Sequence, residues 1–158
     1  MNKRDNAIKN IINNSEIEDI INRSKICHVG MVDNDLPYVL GFNFGYENQT
    51  IYLHCAKEGK KINILRKNNN VCVEFDIDHD FFSRHENVAC SWRMRYRSVL
   101  AYGKAIFVEN YEEKIEGLKI FMKHYSYKKF EFSLPSVNNI EIIKIKIDNV
   151  TGRKFEYI

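Results

Sequence analysis

Hydrophobic residues of this chain fall in short runs between polar ones, and over 140–150 they alternate with polar residues, which is the pattern of a half-buried β-strand. The alternation at 140–150, and elsewhere the apolar runs with their β-branched and aromatic content, predict strands at 26–32, 38–46, 50–55, 71–77, 96–109 and 140–150, and a short one at 90–92. The polar triplets "DND" and "ENQ" read as tight turns between the first three strands. About six short strands joined mostly by turns predict a closed or nearly closed antiparallel barrel, mainly β with flanking helices.

Four segments have helical spacing instead. Isoleucines at 8, 11 and 12 predict a first helix after Asp5, and the sequence "SEIE" at 15–18 reads as a capping box that opens a second. The third helix is predicted at 60–68, and Asn110 is predicted to cap the fourth. The polar stretch 78–86 is expected to be a surface loop, and Gly103 is expected to mark a bulge in its long strand.

The third helix carries its charges in the reverse of the favourable order. Lys57, Lys60 and Lys61 surround Gly59 at its start, where the helix dipole disfavours cations by a few tenths to about 1 kcal/mol. The helices after Ser15 and Asn110 instead begin with acidic residues and end with basic ones. An anion docked at this helix start would resolve the conflict, because backbone N–H groups and ammonium groups would converge on it. The alternative is a solvated lysine cluster partly neutralised by Glu58.

Composition narrows the class of protein. The 158 residues fit one domain, and 24 basic against 21 acidic side chains leave a net charge of only +3. This balance argues against a dedicated nucleic-acid binder, although a basic interaction protein that uses residues 57–67 remains a third hypothesis. No apolar run suits a signal peptide or a membrane span, so we expect a cytoplasmic protein without a membrane partner.

The chain offers few other candidates for chemistry. The four cysteines lack a C-x-x-C pair and are interpreted as reduced, buried packing thiols. His79 and His85 stand among acidic residues, but without a strict ligand motif we predict no metal site. Neither a Ser-His-Asp order nor a Walker loop is present, so any reaction is expected to depend on a cofactor.

Residues 37–75, "PYVLGFNFGYENQTIYLHCAKEGKKINILRKNNNVCVEF", resemble the core of the FMN-binding split-barrel proteins, the superfamily of pyridoxamine 5′-phosphate oxidase. Within it, the chain is most similar to the 5-nitroimidazole-resistance group. The strand ending in Tyr52-Leu53-His54, the following Gly59-Lys60-Lys61 and the closing "VTGRK" carry the resemblance, which extends over about residues 20–155. It implies a six-stranded antiparallel split β-barrel that forms a homodimer with FMN between the subunits.

The resemblance also implies a set of site residues. Lys60 and Lys61 match the pair that holds the FMN phosphate, residues 38–43 match the strand that borders the flavin ring, and His54 lies at a position characteristic of the resistance group. His54 is therefore the candidate catalytic residue, although a strand-end histidine with a local hydrogen bond remains the alternative. The complete candidate cofactor-binding set is Tyr38, Val39, Leu40, Phe42, Asn43, His54, Ala56, Lys57, Lys60, Lys61, Trp92 and Ser98. For Trp92, simple packing remains the alternative to lining the cofactor cleft across the dimer.

Two functions follow from the resemblance. The first is an FMN-dependent oxidoreductase that passes electrons from a nicotinamide nucleotide to a small acceptor, with a nitroaromatic such as a 5-nitroimidazole as one candidate. The second is a non-catalytic flavin- or haem-binding module of the same fold. Nothing after Val150 resembles the substrate-binding C-terminal segment of the oxidases, so pyridoxamine phosphate is not the expected substrate.

Overall fold

The computed structural model describes residues 8–157. Helices and strands follow one another in a mainly β arrangement. The strands are β1 (Ile8–Ile11), β2 (Cys27–Asp33), β3 (Leu36–Phe42), β4 (Gly45–Glu47), β5 (Thr50–Ala56), β6 (Asn70–Ser83), β7 (Trp92–Val108) and β8 (Ile140–Phe155). The helices are α1 (Asn14–Arg23), α2 (Lys60–Lys67), α3 (Tyr111–Tyr125) and α4 (Leu134–Asn138), and a 3-10 turn spans Ala89–Ser91.

All strand pairs of the described residues are antiparallel. The strand order is β3-β2-β6-β7-β8-β5-β4, and β1 adds to β8. The predicted fold class, an antiparallel split barrel with flanking helices, is confirmed. The predicted number of strands is wrong, because residues 8–157 form eight rather than six.

The sheet buries a different apolar cluster on each of its faces. The larger cluster fills the barrel and includes Val29, Leu53 and Phe75. The smaller one lies under α3 and α4 and is built on Val108, Leu118 and Ile142. Neighbouring residues of one strand therefore point into different clusters, as the alternation of β5 and β8 requires.

Helix α3 lies unusually close to β4. A Cβ atom added to Gly45 would be 2.5 Å from the Cα atom of Phe121, so this approach requires glycine. The buried backbone N–H of Phe44 donates to the Tyr125 hydroxyl at 2.9 Å, and that hydroxyl donates to the carbonyl oxygen of Lys25. One tyrosine therefore connects α3 to two other segments of the chain.

Two predictions near the N-terminus are wrong. Residues Ile8–Ile11 form a strand rather than a helix, because their backbone pairs with Gly152–Phe155 of β8. Asp5, the proposed start of that helix, lies outside the described residues. Ile11 is buried, whereas Ile8 and Ile12 are 46% and 92% exposed, so the three isoleucines share no buried face. Helix α1 begins after Asn13, whose side chain accepts from the backbone N–H of Ser15, so Ser15 is not the cap.

The predicted strand at 38–46 is divided. It leaves β2 after Phe42 and joins β5 as β4 from Gly45 onward. Asn43 and Phe44 form the break, and the Phe44 side chain is fully buried there. A continuous strand could not pair with β2 and β5, which lie far apart in the strand order.

The predicted loop at 78–86 is largely wrong, because β6 continues to Ser83 and pairs with the start of β7. The polar residues of this extension have partners across the ladder, such as Asp80 with Arg95 at 2.6 Å. The predicted short strand at 90–92 is mostly the 3-10 turn, with Trp92 as the first residue of β7. The predicted irregularity at Gly103 is confirmed by the register shift between Tyr102 and Gly103.

The cysteines fit their predicted role only in part. All four are free thiols, and Cys27 is buried, whereas Cys90 is exposed and does not pack in a core. Burial raises the pKa of the Cys27 thiol to about 12. Across residues 8–157, the helices are too short or too polar to cross a membrane.

Candidate functional site

The start of α2 has no side-chain cap and no acidic residue in its first turn. The residue before it, Gly59, has φ 120°, a conformation that side chains rarely adopt, and nothing lies within 4 Å of where its Cβ would be. The other two long helices are capped by Asn13 and Asn110 and carry acidic first turns. The predicted cationic, uncapped start of this helix is therefore present, but its charge order is not fully reversed, because Arg66 and Lys67 occupy the last turn, where the dipole favours cations.

Lys60 has a counter-ion inside the chain. Its Nζ atom lies 3.2 Å from Oδ2 of Asp33, at the end of β2, and 4.8 Å from the centre of the Tyr38 ring. The Lys60 side chain is mostly exposed, so this ion pair contributes at most about 1 kcal/mol. Part of the positive charge at the helix start is thus balanced by the neighbouring hairpin.

Lys57 and Lys61 have no carboxylate within 4 Å among the described residues. Lys61 is half-buried and lies close to Cys55 at the end of β5. Burial raises the pKa of the Cys55 thiol, and the Lys61 ammonium opposes that shift. Lys57 and Ala56 are exposed where β5 ends. Two cations without a carboxylate partner in the described residues, a glycine and uncapped N–H groups therefore adjoin one another along the chain, a combination that suits a phosphate.

Strand β3 begins beside this point and forms one end of the strand order. Tyr38, Leu40 and Phe42 pack against the barrel cluster. Val39, between them, is 59% exposed, and Asn43 is exposed beyond the strand. Among the described strands β3 pairs only with β2, so its other backbone edge is available to a ligand or to another chain.

His54 lies on the face of β5 that packs toward α3, but it remains exposed to solvent. Its neighbour Leu53 points into the barrel, whereas the His54 ring meets the edge of the Phe121 ring at a centroid distance of 4.4 Å. Burial against this apolar neighbour lowers the pKa of His54, because the charged form loses hydration. The His54 imidazole is therefore mostly neutral at pH 7. It can donate or accept a hydrogen bond, but it is not a strong acid.

Ser98 and Trp92 lie apart from the start of α2. Ser98 is in the middle of β7, paired with Asp76 and Arg153, and lines an open groove of about 370 Å³ on the β6-β7-β8 surface. Trp92 starts β7, where it stacks on Phe81 at a centroid distance of 4.9 Å. Within one chain, the predicted lysines therefore lie at the start of α2 beside β3, His54 lies on β5, and Ser98 and Trp92 lie at two separate points of β7.

Asp33 is the site residue that the sequence analysis missed. It was assigned only to a turn, and nothing local to it indicates Lys60 as a partner. The predicted absence of a metal site stays a prediction, and within residues 8–157 no group of three His, Cys, Asp or Glu side chains is arranged to hold a metal ion. His79 instead pairs with Asp76 at 2.8 Å.

The chain matches the family model for pyridoxamine 5′-phosphate oxidase over residues 13–154. Among solved structures, a candidate 5-nitroimidazole antibiotic resistance protein from Bacteroides thetaiotaomicron is 41% identical, with a TM-score of 0.85 over 94% of this chain and 87% of that one. No curated protein sequence matches the chain. The chain therefore belongs to the pyridoxamine 5′-phosphate oxidase family, as the resemblance of residues 37–75 indicated.

More distant structures share the fold. The flavocytochrome of Azotobacter vinelandii is 17% identical, with a TM-score of 0.80 over 100% of this chain and 73% of that one. An FAD- and haem-binding protein of Mycobacterium smegmatis is 15% identical, with a TM-score of 0.82 over 94% and 74%. The same barrel therefore occurs in proteins described as binding different cofactors.

Proposed function

We propose that this protein is an FMN-dependent oxidoreductase. It acts as a cytoplasmic homodimer and passes electrons from a nicotinamide nucleotide to a small acceptor, for which a 5-nitroimidazole is the first candidate. Its partners are small molecules and a second copy of the chain, without nucleic acid or membrane. The observation that carries the proposal is the uncapped, cationic start of α2.

The chemistry of this helix start fits the FMN phosphate. A phosphate monoester carries about 1.5 to 2 negative charges at pH 7 and accepts several hydrogen bonds. The N–H groups at the start of α2 and the ammonium groups of Lys57 and Lys61 supply donors of the opposite charge. The open space at Gly59 leaves room for phosphate oxygens beside the backbone.

Other residues of the set would hold the ring of the flavin. When bound, FMN supplies the electron-transfer chemistry, and the chain positions it. The free backbone edge of β3 offers N–H and C=O groups at Val39 and Asn43 to ring atoms. His54, as a neutral imidazole, is the candidate hydrogen-bond partner for the flavin or the acceptor.

A homodimer accounts for the separation of the predicted residues. In one chain Ser98 and Trp92 lie on β7, and neither the groove that Ser98 lines nor the stack of Trp92 on Phe81 includes a residue of α2. A second copy that places its β7 surface beside α2 would complete the site. Size-exclusion chromatography with light scattering tests this part, and a monomer that binds FMN fully would contradict it.

The decisive test begins with the flavin. The purified protein should show a flavin absorption spectrum or acquire one from added FMN, and FMN rather than FAD should be released on denaturation. Lys61→Ala should weaken FMN binding at least about tenfold, since one charge-assisted hydrogen bond contributes about 1.5–3 kcal/mol. Lys146→Ala, which removes an exposed lysine from β8, is the control. Equal affinities of the two variants would refute the phosphate site.

The second candidate is a flavin- or haem-binding module without a catalytic cycle. His54 favours it, because the candidate acid among the described residues is mostly neutral at pH 7. Anaerobic addition of NADH or NADPH to the FMN-loaded protein separates the two functions. Bleaching of the flavin, followed by reoxidation with a 5-nitroimidazole, supports the oxidoreductase. A flavin that stays oxidised with both donors, or a haem spectrum on purification, supports the module.

A further inference from the structure

A basic and aromatic groove lies away from the proposed flavin site. It runs between the C-terminal half of α3 and the segment 126–133 and has a volume of about 420 Å³. We call it the α3 groove. Four lysines line it, Lys119, Lys123, Lys128 and Lys129, together with the aromatic side chains of Tyr127 and Phe130, and none of its lining residues is acidic.

The positive charge of the α3 groove is balanced only in part. Lys123 pairs with Glu47 at 3.1 Å and Lys119 with Glu116 at 3.5 Å, both in exposed positions where ion pairs are weak. Lys128 and Lys129 have no carboxylate within 4 Å in the part of the chain that the structure describes. The dipole of α3 favours cations in its last turn, which accounts for Lys123 but not for lysines beyond the helix end.

Two of the three aromatic residues of the groove also lack cover, whereas the third, Phe132, packs against the smaller apolar cluster. The Tyr127 side chain is 100% exposed and Phe130 is 40% exposed, although the chain buries most of its other rings at least in part. Exposed aromatic faces beside ammonium groups suit a planar ring that carries a negative charge, because the ring stacks and the charge pairs. A volume of this size lies in the range of small-molecule sites.

We propose that the α3 groove is a nucleotide-binding site. The phosphates of the nucleotide contact Lys128 and Lys129, with Lys119 and Lys123 at the opposite wall, and its base stacks on Tyr127 and Phe130. The chemical class is a nucleoside di- or triphosphate, because the two lysines without a carboxylate partner among the described residues, Lys128 and Lys129, match two adjacent phosphates. This site is separate from the start of α2 and does not depend on the protein binding a flavin.

ADP is the probe for this site, and isothermal titration calorimetry is the measurement. Because the start of α2 also attracts phosphates, the titration uses two samples, the Lys61→Ala variant and the native protein saturated with FMN. One equivalent of ADP should bind both with similar affinity. Pyrophosphate, which lacks the base, and adenosine, which lacks the phosphates, should each bind at least about tenfold more weakly than ADP. Equal binding of pyrophosphate and ADP, or no ADP binding at millimolar concentration, would overturn the proposal.

Variants locate the binding. Lys128→Ala/Lys129→Ala and Tyr127→Ala should each weaken ADP binding about tenfold or more, and the lysine variant should reduce the dependence of affinity on salt. Lys104→Ala/Lys146→Ala is the matched control, since it removes two exposed lysines that face each other on β7 and β8. Should the lysine variant misfold, Tyr127→Ala decides alone, because that side chain is fully exposed. Unchanged ADP affinity in a folded Tyr127→Ala, or an equal loss in the control, would contradict the site.

Discussion

The Nζ atom of Lys60 lies 3.2 Å from Oδ2 of Asp33, so the first lysine of α2 already has an anionic neighbour. If a phosphate binds at the same helix start, Asp33 competes with it for Lys60 and repels it. The geometry therefore separates two roles among the lysines. Lys61 is the cation available to a ligand, and Lys60 is held by the β2-β3 hairpin.

The first prediction concerns Asp33. Asp33→Asn removes the competing carboxylate with little change in shape, so FMN should bind about two- to fivefold more tightly, the range expected for an exposed ion pair. Fluorescence titration of the flavin measures the affinity. Asp35→Asn is the control, because Asp35 is exposed in the same turn and has no ion pair within the described residues. Weaker binding by Asp33→Asn would mean that Asp33 positions Lys60 for the ligand instead.

The second prediction concerns Asp78, whose side chain is 18% exposed and lies between two arginines. Nε of Arg97 and Nη2 of Arg23 donate to it at 2.7 and 2.6 Å. Burial raises the pKa of Asp78, but the hydrogen bonds from Arg23 and Arg97 outweigh burial and hold the pKa below its usual value. The charged form is thus favoured by folding, and its stabilisation is present above the unfolded pKa and is lost as the pH falls through the lower folded pKa.

Asp78→Asn tests this relationship. Because Asp78 has φ 58°, which asparagine tolerates, the change removes charge without adding backbone strain. Unfolding in urea at pH 7 should show a loss of about 1–3 kcal/mol, and the difference from the native protein should shrink below about pH 4. Asp80→Asn breaks a single ion pair, with Arg95, that is more exposed than those of Asp78. It should lower the free energy of unfolding by less than about 1 kcal/mol. A difference for Asp78→Asn that is constant down to pH 3 would show that charge is not its cause.

How far the sequence predicts this molecule depends on the range of each interaction. Asn110 is recognisable as a cap because its partner, the backbone N–H of Glu113, is three residues away. The strand at Ile8–Ile11 is not recognisable, because its stability comes from pairing with the far end of the chain. Even a local signal misleads where two caps compete, as Asn13 does with Ser15.

The residues of the candidate site also divide into those with local signals in the sequence and those whose contacts are long-range. The cationic start of α2 is visible in the sequence, since Gly59 and its lysines are adjacent and the other helices supply the contrast. Neither Asp33 nor the contact of His54 with Phe121 could be inferred, because both depend on how distant elements pack. The polar extension of β6 was mistaken for a loop for a related reason, as its carboxylates pair with arginines distant in sequence, on β7 and on α1.

The third prediction concerns Tyr125. Its hydroxyl accepts from the buried N–H of Phe44 and donates to the carbonyl of Lys25, both at 2.9 Å. Tyr125→Phe leaves that N–H without a partner at the break between β3 and β4, so unfolding should require about 1–3 kcal/mol less free energy. Thermal and urea unfolding measure this loss. Tyr127→Phe, at a fully exposed position, should change stability by less than about 0.5 kcal/mol, and a similar loss in both would exclude the hydrogen bonds as its cause.

The last prediction concerns the protonation of His54. Burial against Phe121 lowers the pKa of His54, so an NMR titration should place its midpoint below the ordinary value of about 6.5. Folding favours the neutral ring, so His54 stabilises the fold least at low pH. Acidification through pH 6 should therefore lower the stability of the native protein by more than it lowers the stability of the His54→Phe variant. Phe121→Leu, which opens the ring to water, should raise the midpoint.

His54→Phe also tests the catalytic role, because phenylalanine can keep the edge contact with Phe121 while removing both nitrogens. If His54 acts on the acceptor, turnover of a 5-nitroimidazole should fall at least about tenfold while FMN affinity stays within about twofold of native. If His54 instead holds the flavin, FMN affinity falls in parallel with turnover. Native turnover in a folded His54→Phe protein would leave the histidine with only its packing role against α3.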